Sequence, residues 1–226
     1  MKNLLPEAAL FAVFALAGTA QAASFPCEQA RSTVEKTICA NEDLSTLDEH
    51  LGRYYSAARS ALKPADTCLA SDQRSWLQAQ RDTCKDAACL RQVYLRRLAE
   101  LDPLQPGVTA IRNIELPRVS ALVWIVPAAL DQVAAPVNKQ AKPFVAQGAI
   151  LNEVADGDGY VLRAADGKRT LVVPLMFIEP PTAVTLDSLA RVGGEYELRG
   201  YAEKSSSDGS VHFAPSRCVF IYRIPR

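Results

Sequence analysis

The chain has no surplus of charge of either sign: 25 basic residues face 25 acidic ones across 226 residues. A dedicated nucleic-acid binder carries a basic excess that neutralises phosphates, and a protein held on an anionic bilayer carries a polybasic patch. Dividing the chain uncovers neither. Residues 23–104 hold 11 basic and 12 acidic residues, and residues 105–226 hold 13 and 12. No nucleic-acid partner is expected. Histidine is scarce, limited to His50 and His212, which leaves little material for a histidine-rich metal site or a histidine relay. His50, beside Glu49 near the start of a helix, reads as a surface residue. No G-x-S-x-G elbow, H-E-x-x-H, Walker loop or G-x-G-x-x-G occurs, so no nucleophile, base and orienting group are recognisable. The expectation is a non-enzyme with no cofactor and no metal. Long apolar runs are missing too. The run at residues 8–17 falls short of the roughly 20 residues that span a bilayer.

That short run has a different reading. Lys2 precedes it, and Ala20-Gln21-Ala22 follows with the small-x-small pattern of a cleavage site. Residues 1–22 therefore read as a secretory signal cut after Ala22, giving a periplasmic or secreted chain with no membrane span once matured. All six cysteines, Cys27, Cys39, Cys68, Cys84, Cys89 and Cys218, lie beyond that cut. In an exported protein an even count points to disulfides before metal or a catalytic thiol. Sequence alone does not fix the pairing. The simplest scheme joins Cys27 to Cys39 around one short helix and Cys84 to Cys89 around a break near Lys85-Asp86, because residues five apart in an unbroken helix cannot be bridged. Cys68 and Cys218 are then left for each other, across the two halves.

The apolar period changes along the chain. From Cys27 to about Leu101 it is helical. Ser32-Thr33-Val34-Glu35 has the S-x-x-E form of a capping box and opens a helix to about Ala40. Ser45 is expected to cap a second helix bearing Leu47, Leu51, Tyr54, Ala58 and Leu62, and Ser71 a third bearing Trp76, Leu77, Gln80 and Cys84. A fourth runs over about 87–101, stopped by Pro103 and Pro106. Prolines punctuate residues 105–143, a transition containing one strand-like run at 120–126, with 128–137 a short helix or a loop. Beyond it, runs at 149–154, 160–163, 170–174, 195–201 and 218–224 alternate with turn signals, Asp166-Gly167 the strongest. A short helix is expected over 185–191. Three strands, a helix and two strands match the element order of an OB-type barrel. The fold class is thus α+β in two domains: a disulfide-stapled helical bundle at 23–104 and a small OB-like β-barrel at 144–226.

The helical half also resembles a known family. Cys27-x2-Ala30, Glu35-x2-Ile38-Cys39 and Leu44-x2-Leu47-Asp48-x2-Leu51-x2-Tyr54 are followed by Gln73-Arg74-x-Trp76-Leu77-x3-Arg81-Asp82-x-Cys84 and Cys89-Leu90-x3-Tyr94-x2-Arg97-x3-Leu101. This pattern is similar to the LprI-type lysozyme inhibitor domain over about residues 25–102. The resemblance implies a helical fold and a protein partner, either a lysozyme or another cell-envelope protein. Cys68, Cys218 and the β half lie outside it. Trp76 and Leu77 are expected to pack on Leu47, Leu51 and Tyr54, with Tyr94 part of the same motif. Arg81 is expected to pair with Asp48 or Glu35, unless Arg81-Asp82 and Arg96-Arg97 face solvent.

Glu42, Asp43, Asp48 and Glu49 cluster at the entry to the second helix. They either meet a cationic enzyme or simply cap and solubilise the helix. Asp156-Gly157-Asp158-Gly159 hints at calcium, but Tyr160 stands where an EF-hand loop needs an oxygen ligand, so a turn is favoured. Glu195 and Glu197 share one strand face, more simply a wet edge than an acid pair, with Tyr196 and Leu198 inward. Three functions follow in order: a periplasmic binding module of the lysozyme-inhibitor type, an envelope interaction protein whose β half binds a partner or glycan, and a secreted hydrolase.

Overall fold

The computed structural model describes residues 23–63, 65–104, 114–126, 142–152, 160–165, 170–174, 195–202 and 218–225. The expected signal segment, the Asp156–Gly159 turn and the short helix over 185–191 lie outside these residues. The described chain is α+β, with four helices followed by six strands.

Helix α1 (Thr33–Cys39) starts where the capping box puts it. Glu35 N–H donates to Ser32 Oγ at 3.1 Å, and Ser32 N–H donates to the Glu35 carboxylate at 2.9 Å. Arg31 N–H donates to the same carboxylate at 2.8 Å, and the donations from Ser32 and Arg31 hold the Glu35 carboxyl below its ordinary pKa. Helix α2 (Glu42–Ala61) begins three residues before the expected cap. Asn41 accepts from Leu44 N–H at 3.1 Å, while Ser45 is buried and donates to Ile38 O at 2.9 Å. Helix α3 (Asp66–Trp76) likewise starts before Ser71. It then widens into a π-turn over Leu77–Arg81, where Asp82 N–H reaches back five residues to Leu77 O at 2.8 Å. Helix α4 (Ala87–Leu101) is capped by Asp86, which accepts from Cys89 N–H at 2.8 Å.

The three disulfides are Cys27–Cys39, Cys84–Cys89 and Cys68–Cys218. The first two close local loops; the third joins α3 to the last strand across 150 residues.

Strands β1 (Ala121–Val126), β2 (Lys142–Asn152), β3 (Tyr160–Ala165), β4 (Thr170–Pro174), β5 (Tyr196–Ala202) and β6 (Val219–Arg223) form one antiparallel sheet in the order β1-β6-β5-β2-β3-β4. β2 starts at Lys142, seven residues before the expected run at 149–154. Its extra length lets it pair with β5 through its first half and β3 through its second. The neighbours β5-β2-β3-β4 reproduce a Greek key, in which the fourth strand returns beside the first. The expected barrel is not closed among the described residues. β1 and β4 are the terminal strands, and β1 occupies the free side of β6.

Period-2 alternation sorts β5 and β6 cleanly. Tyr196, Leu198, Val219 and Ile221 are buried on one face, while Tyr222 on the other joins the core of the helices. Leu122 and Ile125 of β1 do the same, beside Ile38, Leu47, Tyr54, Trp76, Tyr94 and Leu98. Burying such large apolar side chains contributes about 1.5–3 kcal/mol each, so the seam between helices and sheet is itself a source of stability.

Candidate functional site

Two buried polar networks organise the helical half. The first centres on Asp48, only 5% exposed. Tyr94 O–H donates to Asp48 Oδ1 at 2.7 Å, and Ser24 donates to Oδ2 through its N–H at 2.7 Å and through its hydroxyl. Three donors thus satisfy a carboxylate that would otherwise be costly to bury. Burial first, and the Asp48 charge second, push the Tyr94 hydroxyl well above its ordinary pKa. Its ring packs edge-on against Trp76, centroids 5.5 Å apart at 80°. The π-turn ends at Arg81, whose charge lies near the Tyr94 hydroxyl and whose guanidinium pairs with Asp82 at 2.8 Å. Its ion-pair partner is thus the adjacent Asp82, not the expected Asp48 or Glu35. Arg81 lies close enough to Glu35 to help lower that pKa, as the weakest of the causes.

The second network lies under the sheet. Arg97, 2% exposed, contacts Asp72 at 2.6 Å, Glu100 at 3.2 Å and the Gln73 side-chain oxygen at 3.0 Å. Tyr222 of β6 is buried beside it, its hydroxyl pushed up by burial and by Asp72. The Arg199 guanidinium sits 4.1 Å from the Tyr222 ring centroid and pairs with Glu197. Glu197 is thus engaged in an ion pair rather than standing free on a wet strand face, whereas Glu195 is exposed. Arg97 corrects a second expectation: it faces inward, and only its neighbour Arg96 is exposed.

The structure divides the expected acidic edge. Glu42 and Asp43 are exposed, and Glu49 is half-exposed and 3.6 Å from Arg53. Asp48 is removed from that edge, because both of its oxygens are consumed inside the bundle. Trp76 and Tyr94 are core residues, and the Arg81 side chain is 14% exposed. No group of three or more metal-binding side chains occurs among the described residues, and no described helix is long and apolar enough to cross a membrane.

Sequence reasoning missed Ser24, Asp72 and Glu100. Ser24 and Asp72 sit 24 and 25 residues from the groups they satisfy, so no local spacing announces them. Glu100, three residues after Arg97 on one helix, was findable from i,i+3 pairing.

The contacts also set the polarity of the bundle. Asp48 meets Tyr94, and further along Tyr54 of α2 meets Asp102, the residue just past α4, at 3.2 Å. α2 and α4 therefore start at the same pole, which carries Glu42, Asp43, the end of the π-turn and the Cys84–Cys89 loop. The sheet attaches toward the opposite pole, through Cys68–Cys218, the Arg97 network and β1.

Residues 27–101, about a third of the chain, match the family described as Lysozyme inhibitor LprI. The matched stretch coincides with the four helices and two local disulfides described above. No curated protein and no solved structure matches the chain. Three disulfides and this match fit a protein of an oxidising, extracytoplasmic compartment.

Proposed function

We propose that this protein is an exported protein-binding module that inhibits a lysozyme through its helical half, with residues 1–22 removed after Ala22. The match over residues 27–101 carries the reading. The structure supplies a rigid scaffold for it. The charged interior groups Asp48 and Arg97 are both fully engaged within the fold, so they hold surfaces in place and are not themselves free to bind. Glu42 and Asp43 give the sheet-distal pole an acidic margin, which would steer association with a cationic enzyme in a salt-dependent way. The six strands serve as a second lobe.

The test is turbidimetric. The mature, oxidised chain from Ala23 is added to bacterial cell walls with several lysozyme classes, at low and physiological salt. Slower lysis with at least one class is expected, most marked at low salt. Unchanged lysis with every class would leave the alternative, an envelope-binding protein whose partner is not a lysozyme.

A further inference from the structure

We infer that the sheet-distal pole enters the substrate cleft of the inhibited lysozyme, and that Lys85, on the loop closed by Cys84–Cys89, supplies the cation meeting the carboxylates of that cleft. This rests on the lysozyme reading above and deepens it by naming the contact.

The loop is anchored and exposed at once. Cys84 is 7% exposed, whereas Asp82, Thr83, Lys85, Asp86 and Ala88 are exposed around it. Its shape is fixed from both sides, by the disulfide and by the Asp86 cap on Cys89 N–H. A loop ordered before binding loses little conformational entropy on docking, which is how a small surface reaches useful affinity. The π-turn just before it is a form of helix that recurs at functional sites.

Charge identifies the occupant. Asp82 is engaged by Arg81 at 2.8 Å and Asp86 by the helix terminus. Lys85 has no ion pair among the described residues, so its ammonium is the available cation of the loop, beside Asp86, whose cap hydrogen bond leaves its negative charge in place. Glycoside hydrolases cut with a pair of carboxylates in a cleft. Such a cleft is a local concentration of negative charge, and on a cationic enzyme it is surrounded by positive charge. The pole has the complementary arrangement: a lysine on the exposed loop, with Asp86 beside it and Glu42 and Asp43 at the same end to face the cationic rim.

The experiment uses the whole mature, oxidised protein and measures inhibition constants against a lysozyme that it inhibits. Lys85→Glu is expected to weaken inhibition by about tenfold or more, and Lys85→Arg to keep it within about threefold. Lys63→Glu, in the turn after α2 at the opposite pole, is expected to change nothing. A chito-oligosaccharide filling the cleft should compete with the protein. Normal inhibition by Lys85→Glu, or inhibition indifferent to the oligosaccharide, would overturn the loop contact and leave lysozyme inhibition standing. Failure of the unsubstituted protein to inhibit any lysozyme would overturn both.

Discussion

The helices and the sheet of this protein are stabilised by different means, and the difference shows where recognition belongs. The helical half is cross-linked locally, by Cys27–Cys39 and Cys84–Cys89, and its interior contains ionised groups with complete sets of partners. The sheet depends on long-range pairing, with β1 meeting β6 about a hundred residues away in sequence, and is tied to α3 by Cys68–Cys218. A surface held by short disulfides and satisfied buried charges is pre-organised, and pre-organisation favours binding. The sheet-distal pole is the part of the described structure that best meets this condition.

Breaking the comparison at its seam should have the largest effect. Arg97→Ala leaves the part-buried Asp72 without its cation and Glu100 with only the exposed Arg96, 3.6 Å away. Removing one member of a buried ion network costs about 3–5 kcal/mol, so chemical denaturation should show a fall of that size and a sheet that loosens with the helices. A loss under about 1 kcal/mol would mean that the network is better hydrated than its burial implies. Next comes the covalent tie. Cys68→Ser with Cys218→Ser should cost about 2–4 kcal/mol, because the loop released is long. Lysozyme inhibition should survive this change at temperatures where the double variant remains folded, since both residues lie outside the binding pole. Loss of inhibition by the folded double variant would place the sheet in the interface.

Within the helical half, Tyr94→Phe removes the donor to Asp48 Oδ1 and should cost about 1–3 kcal/mol. The same network sets an alkaline limit. Tyr94 and Tyr222 have pKa values raised by burial, as does Tyr54, pushed up to about 12. Folding therefore favours the neutral phenols. That contribution is present in full below pH of about 10, the unfolded value, and is lost as pH rises through and beyond the Tyr54 value. Circular dichroism should show unfolding setting in above about pH 10, with Tyr94→Phe less sensitive to pH than the parent chain. The smallest effect is expected at the first cap. Ser32→Ala should cost about 1 kcal/mol, read as a small shift in thermal midpoint.

The features legible in the sequence were those whose causes are local. The Ser32/Glu35 capping box spans four residues, and α1 starts where it directs. Ser45 and Ser71 misled because cap-type residues also serve inside helices. Asn41 caps first, and Ser45 then hydrogen-bonds from within α2 back to Ile38 O of α1. Tyr196 and Leu198 turned inward as period-2 alternation requires, whereas the strand order depends on partners far along the chain. Asp48 shows the same divide at the candidate site. Its neighbours Glu42, Asp43 and Glu49 suggest a charged edge, but Tyr94 and Ser24, both distant in sequence, draw it into the core.

The central claim is that partner contact belongs to the sheet-distal pole of the helical half. Hydrogen–deuterium exchange on the whole mature protein, with and without a saturating inhibited lysozyme, tests it most directly. The account predicts new protection in residues 41–43 and 78–89, with exchange in β1 to β6 unchanged. Protection confined to the strands, with residues 78–89 exchanging as in the free protein, would contradict it.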